Sequence, residues 1–186
     1  MSEIARRQCG DCQLCCKLLP TKEINKPANT RCKHQKVGKG CSVYANRPVS
    51  CMVWNCRWLL NDDAADLSRP DRSHYVIDLI PDYITVQQND GSSADIDLPV
   101  LQIWVDPNFP DAHRDPYLRA FIERRGIENG MAALIRYGSA DGFVIFPPSL
   151  STDGEWHEQG SNLRREESKL ADTLAKFGGT MVIEER

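Results

Sequence analysis

Alternation of apolar and polar positions begins late in this chain. HYVIDLI (74–80) and DYITVQQ (82–88) alternate on either side of Pro81 and Asp82, and predict two strands. NDGSSADIDL (89–98) is turn-rich, and LPVLQIWVD (98–106) predicts a third strand. Asp115 and Pro116 stand at the N-cap and first position of a helix with Tyr117, Leu118, Phe121 and Ile122 on one face, which Gly126 is expected to stop. AALIRYG (132–138) and GFVIFPP (142–148) flank Ser139-Ala140-Asp141 as a hairpin, although MAALIRYG also reads as a short helix. A last helix is expected over 162–177, with Leu163, Leu170, Leu174 and Phe177 on one face and Gly178-Gly179 ending it, followed by a terminal strand in MVIEE. No fixed-length repeat is present. The fold class predicted is α+β: a mostly antiparallel sheet with a few helices, and a cysteine-rich subdomain packed on it.

The first third has a different texture. Residues 1–8 read as a loose or helical lead-in, and 9–16 must turn tightly, with Gly10 free of the Cβ penalty. The stretch 18–30 is polar, contains Pro20 and Pro27, and reads as a loop; Gly38 and Gly40 flank a turn into Cys41. Pro48 disfavours helix at Arg47 and sets a sharp entry to a helix over 49–60, with Val53 or Trp54 and Trp58 inward. Residues 61–72, acidic at first and carrying Pro70, read as a linker. The expected division is therefore a metal-binding subdomain over 1–60, an acidic linker over 61–72 and an α+β part over 73–186.

Composition narrows the class. A chain of 186 residues buries roughly 70% of its unfolded surface and does not need disulfides to fold. There is no long apolar run, which argues against a membrane span, and the basic residues near the start precede no apolar stretch of a secretory signal. The expected compartment is the cytoplasm, where thiols stay reduced. Charge is uneven: residues 1–57 carry eleven Lys and Arg against three Asp and Glu, and the remainder twelve against twenty-three. A basic first third can signal nucleic acid, but aromatic residues are not interleaved with the charges as a stacking platform needs. Lys and Arg that offset anionic metal-bound thiolates are the preferred explanation.

All eight cysteines lie between residues 9 and 56. Cys9, Cys12, Cys15 and Cys16 form a C-x2-C-x2-C-C run, and Cys32, Cys41, Cys51 and Cys56 follow at wider intervals. Such crowding is poor for a disulfide framework and good for metal ligation. Three thiols in C-x2-C-x2-C suit three corners of a [4Fe-4S] cubane with a remote cysteine as the fourth ligand, whereas tetrahedral zinc more often takes pairs from separate knuckles. Neighbours in extended or turn backbone point to different sides, so Cys15 and Cys16 serve two centres, or one is a ligand and the other a structural thiol. The same question attaches to Cys51 and Cys56, which a regular helix would aim in different directions, unless the helix ends before Cys56. His34 can join as a neutral imidazole, although eight thiols already fill two four-coordinate sites. The tryptophans are expected to seal the cluster from water. His74, His113 and His157 are isolated, and no nucleophile elbow, zincin motif, phosphate loop or dinucleotide fingerprint is present.

The combination CGDCQLCC, RCKH, GCSVYANRPVSC and the trailing Trp54-x-Cys56 resembles the YkgJ-like cysteine-cluster family of zinc- or iron-chelating domains. The likeness covers about the first third of the chain, with a fainter echo in RPDRS (69–73). It implies that Cys9, Cys12, Cys15, Cys16, Cys32, Cys41, Cys51 and Cys56 fall on the family's cluster positions, and Tyr44, Arg47 and Pro48 on its Y-x2-R-P element. Arg47 would hydrogen-bond cluster sulfurs or carbonyls, or lie in a surface turn. Some relatives, the flagellin lysine N-methylases, join this motif to a longer enzyme chain; no second catalytic part is recognisable here.

The function expected is metal binding, as an iron-sulfur protein with a redox role, since a Cys-only cluster in an apolar shell is a one-electron site. The alternatives are a zinc-binding structural module with a protein partner and, by family analogy alone, a protein-modifying transferase. Whether the chain is an enzyme is left open.

Overall fold

A long strand in the middle of the chain organises the sheet. The computed structural model describes residues 7–88, 96–160 and 179–182; the expected helix over 162–177 lies outside them, as does most of the predicted loop over 89–98.

In chain order, the first third holds helix α1 (Leu14–Leu18), a two-stranded hairpin of β1 (Gln35–Lys36) and β2 (Gly40–Cys41), and helices α2 (Val49–Val53) and α3 (Arg57–Leu60). Helix α4 (Pro70–Ser73) leads into β3 (Tyr75–Ile77), β4 (Asp82–Gln88) and β5 (Ile96–Val105). Helix α5 (Pro116–Asn129), β6 (Ala132–Arg136), β7 (Gly142–Phe146), β8 (His157–Gln159) and β9 (Gly179–Val182) complete it. The sheet is seven-stranded, in the order β8-β7-β6-β5-β4-β9, with β3 following β4 along the same edge of β5. Each pairing is antiparallel except β5 with β6, which α5 joins as a parallel crossover. The α+β class and the mostly antiparallel sheet are as expected, and 132–136 is a strand, not the alternative helix.

Pleating sends alternate residues to opposite faces. Ile77, Leu101, Ile103, Ala133, Ile135, Phe143 and Ile145 meet Leu118, Phe121 and Ile122 of α5 in the main core. Val76 and Trp104, on the other face, receive Leu14 and Leu18 of α1. Helix α1 therefore sits on the sheet face opposite α5. Lys17 adds an ion pair to the buried Asp106 (2.5 Å), and the Asn29 side chain donates to the Tyr137 carbonyl.

Three local expectations need correction. Asp115 does cap α5, accepting from the Tyr117 N–H (3.0 Å), but Tyr117 is exposed, and the helix runs through Gly126 to end at Gly130 in the left-handed region (φ 64°). Gly126 serves close packing instead: a Cβ there would lie 2.3 Å from Ser149 Oγ and 2.8 Å from Pro147 Cγ. The helix expected over 49–60 breaks at Trp54, before Cys56, so Val53 is exposed. Trp54 joins the group around Trp104, whereas Trp58 joins the main core and donates to the Leu67 carbonyl (2.9 Å). Residues 61–72 bring Ala64 and Leu67 into that same core. Among the described residues no helix is long and apolar enough to cross a membrane.

Candidate metal centre

The first thiols are set by a turn and a short helix. The Cys12 N–H donates to the Cys9 carbonyl (2.9 Å) around Gly10, whose φ of 54° favours glycine. In α1, Leu14 and Leu18 sit four residues apart and plunge into the group with Val76 and Trp104, and Cys12 and Cys15 pack along that same apolar group. Cys16 is rotated about 100° from Cys15 on the helix, away from it. Cys56 follows the break after α2, opposite Asp78 in an isolated bridge, just past the Ile77 end of β3.

The other thiols lie on a loop, the small hairpin and α2. The Cys32 N–H donates to the Cys16 carbonyl (3.2 Å), and the Gln35 N–H to the Cys32 carbonyl (3.0 Å). Cys41 lies directly across from Gln35 in the small hairpin. Gln13 holds that hairpin down: its amide nitrogen donates to the Lys36 and Gly40 carbonyls, and its oxygen accepts from Gln35 (2.6 Å). Cys51 is carried by α2, which the Glu23 carboxylate fixes by accepting from the Ser50 N–H (2.8 Å) and hydroxyl (2.7 Å). The Thr21 hydroxyl lies 3.8 Å from the Cys51 sulfur. His34 contributes its backbone N–H, 3.4 Å from the Cys32 sulfur.

Electrostatics link the first thiols to one another and to Cys16. The Cys15 thiol donates to the Cys16 sulfur; this bond, then burial and the charges of Cys16, Cys9 and Cys56, push Cys15 well above the usual thiol range. The same bond, helped by Lys26 and Arg47, pulls Cys16 down to about 7. Burial pushes Cys56 up to about 11, with Cys9 and Cys12 adding to it. Cys9 and Cys12 are likewise raised, by burial first, against the lowering field of Arg69. Thus Cys9 feels the charges of Cys12 and Cys16, Cys15 those of Cys16, Cys9 and Cys56, and Cys56 those of Cys9 and Cys12. Lys26 lies instead within reach of Cys32, Cys16 and Cys51, with a weaker contribution from Cys15.

Lys26 is a buried residue beside the thiols that sequence reasoning missed. It is only 7% exposed, and its ammonium donates to the carbonyls of Lys17 (3.1 Å), Leu19 and Pro27 (3.3 Å) at the end of α1. Its backbone pairs with Thr21, closing the predicted loop onto itself around a 3-10 turn at Lys22–Ile24. No sequence signal separates it from the other lysines of the module. Arg69 was legible only through the faint RPDRS echo. Its guanidinium grips Asp71 (2.7 and 2.6 Å) and Asp11 (2.8 Å), and so pins the turn between Cys9 and Cys12. Arg47 stacks on Tyr44, its charge 4.3 Å from the ring centre, and lowers the Cys9 and Cys16 thiols.

The isolated histidines lie elsewhere. His74 stacks on Phe109 (3.5 Å). His113 is buried, with Nδ1 2.7 Å from the Pro110 carbonyl. His157 faces Asp153 (2.8 Å).

All eight cysteines are free thiols, partly buried and within one module. As the side chains stand, no group of three or more His, Cys, Asp or Glu among the described residues is disposed to hold a metal ion. The donor chemistry nevertheless fits a thiophilic ion or cluster, because the thiolates oppose one another's ionisation and a bound cation would offset that repulsion. Comparison of the chain with models of known families, with curated proteins and with solved structures returns no match.

Proposed function

We propose that this is a metal-binding protein whose cysteine module carries an iron-sulfur cluster on Cys9, Cys12, Cys15 and Cys56, with a redox role. The observation that most supports the reading is the position of Cys56. The C-x2-C-x2-C run offers three ligands, and the break between α2 and α3 sets the remote fourth thiol within the field of Cys9 and Cys12. Cys12 and Cys15 pack beside Leu14, Leu18, Val76 and Trp104, the apolar shell that a low-dielectric one-electron site calls for. When bound, the cluster would supply reversible one-electron transfer.

The chain's own residues supply the setting. Arg69 and Arg47 are placed to favour the Cys9 thiolate, and Arg69 that of Cys12. Asp11 and Asp71 hold Arg69 in place. The resemblance to the YkgJ-like family agrees with metal binding and remains part of the proposal.

Anaerobic purification with iron, zinc and acid-labile sulfide analysis tests this. A brown protein with about four irons per chain, lost in Cys56→Ser, supports the reading. A colourless protein without sulfide after anaerobic reconstitution with iron and sulfide refutes it.

A further inference from the structure

We propose that the outward face of α2, together with Tyr44 and the lysines around it, is a docking surface for a partner protein that presents an apolar spot ringed by carboxylates. This surface needs no bound metal and goes beyond the iron-sulfur reading, on which it does not rest.

Helix α2 turns its apolar side outward. Val49, Met52 and Val53 stand at i, i+3 and i+4 on one helix face, and they are 60%, 46% and 61% exposed. A helix on a protein surface ordinarily turns such a stripe to the core. Here the neighbouring positions do the anchoring: Glu23 accepts from the Ser50 N–H (2.8 Å) and hydroxyl (2.7 Å), and the Cys51 sulfur lies 3.8 Å from the Thr21 hydroxyl. Tyr44, 61% exposed, precedes α2 on a 3-10 turn and carries the Arg47 guanidinium over its ring (4.3 Å). Single exposed apolar side chains are ordinary. Four within ten residues, three of them on one helix face, mark an interaction site.

Charge names the occupant. Lys22 stands beside Glu23, the residue that holds α2, and Lys33, Lys36 and Lys39 lie on and around the hairpin of β1 and β2. That hairpin runs into Tyr44 past Ser42, whose N–H donates to the His34 carbonyl (2.8 Å). All four lysines are exposed, and none makes an ion pair among the described residues. The described part of the first third has two carboxylates, and both are engaged: Asp11 by Arg69 (2.8 Å) and Glu23 by Ser50. Unpaired cations around an apolar centre steer acidic partners in and turn basic ones away. Lipid is a poorer match, because Val and Met on fewer than two helical turns lack the Trp, Phe and Leu that seat a helix in a bilayer interface. They are equally poor platforms for stacked bases. Tyr and Arg, by contrast, are side chains that carry binding energy between proteins. A patch this small suits a transient encounter.

The test uses the full chain and two synthetic amphipathic helices, each with a Leu stripe, flanked by Glu in one and by Lys in the other. Fluorescence anisotropy should show the Glu peptide binding with a Kd below about 1 mM, at least about threefold weaker when salt rises from about 0.05 to 0.5 M, and the Lys peptide not binding. Val53→Asp, and separately Lys33→Glu combined with Lys36→Glu, should each weaken the Glu peptide about tenfold or more. Ile127→Asp, at an exposed position of α5, should leave it unchanged. Met52→Ser stands in should Val53→Asp fail to fold. No binding of the Glu peptide, or binding that folded Val53→Asp leaves at full strength, overturns the proposal. Binding to phosphatidylglycerol vesicles in place of the peptide would make the face a lipid site, and a wild-type dimer that Val53→Asp separates in analytical ultracentrifugation would make a second copy the occupant; either result overturns it too.

Discussion

Leu18→Ala tests whether the cysteine module is a working part of the folding unit. Leu18 is fully buried, on the face of α1 that enters the group with Leu14, Val76 and Trp104. Leu-to-Ala changes at such sites cost about 2.7–5.0 kcal/mol, the spread reflecting how far the cavity collapses. Here several neighbours, Cys12, Cys15, Leu19, Ala28 and Trp54, are only partly buried and can relax inward. The lower half of the range applies, about 3 kcal/mol. For a chain of this length that is roughly 6–12 °C in Tm. The assay is urea unfolding of the metal-free protein, followed in parallel by far-UV circular dichroism and by tryptophan fluorescence, which Trp104 at 6% exposure should report well. One transition with a lowered midpoint and an unchanged slope is expected. A loss under about 1 kcal/mol, or two transitions of which only the minor one moves, would refute the packing of α1 on β3 and β5 as a stabilising contact.

Gly126→Ala sets about 1 kcal/mol of helix propensity against overpacking of about 1–3 kcal/mol, with Ser149 Oγ only 2.3 Å from the new methyl position. A net loss near 1 kcal/mol by chemical denaturation is expected; a gain would show that α5 and the Pro148–Leu150 turn can part without cost. In the metal-free chain Cys16, pulled down to about 7, should be the first thiol alkylated, its rate rising as pH passes through about 7 while Cys56, at about 11, stays unreactive. Peptide mapping after timed iodoacetamide exposure checks the order. His113 is held below its ordinary value of 6.5, by burial first. The unfolded chain therefore binds the proton more readily, so stability is full above that value and falls as pH drops through the folded one. His113→Gln should flatten this part of the acid limb below about pH 6.5, measured by urea midpoints, even if it lowers stability at every pH.

Much of the sheet was legible because its strands alternate or form continuous apolar runs, and because Asp115-Pro116 and Ser139-Ala140-Asp141 are local signals. Gly126 was misread since a glycine that permits close approach and one that ends a helix look alike along a chain; only Ser149 and Pro147, brought in by the tertiary fold, distinguish them. The break before Cys56 is tertiary too. Trp54 turns to the Trp104 group while Trp58 turns to the main core, so no single helix direction satisfies both. The eight thiols were plain from spacing. Where each remote cysteine lies depended on hairpin register and on the α2–α3 break.

Charge then ties the module to the body as well as to its thiols. Of the excess of basic residues in the first third, Lys17 pairs with Asp106, Arg57 with Asp63 (2.8 Å) and Arg7 with Asp62 (3.2 Å), each acidic partner lying beyond residue 57. Arg7–Asp62 is open to solvent on its acidic side, where such pairs contribute about 0–1 kcal/mol. Asp106 and Arg57 are buried, so removing either partner would strand a charge. Lys26 and Arg47 face the Cys16 thiolate, and Arg57 rests on Phe121 (5.8 Å) of α5. These residues therefore have anionic or aromatic neighbours within the fold. Lys22, Arg31, Lys33, Lys36 and Lys39 stay exposed, on the loop and hairpin that carry Cys32 and Cys41. In solvent, their charges are screened. A basic sequence segment is thus divided between docking, thiolate compensation and a solvated rim. Salt should weaken the field of the rim while leaving the Lys17–Asp106 contact nearly untouched.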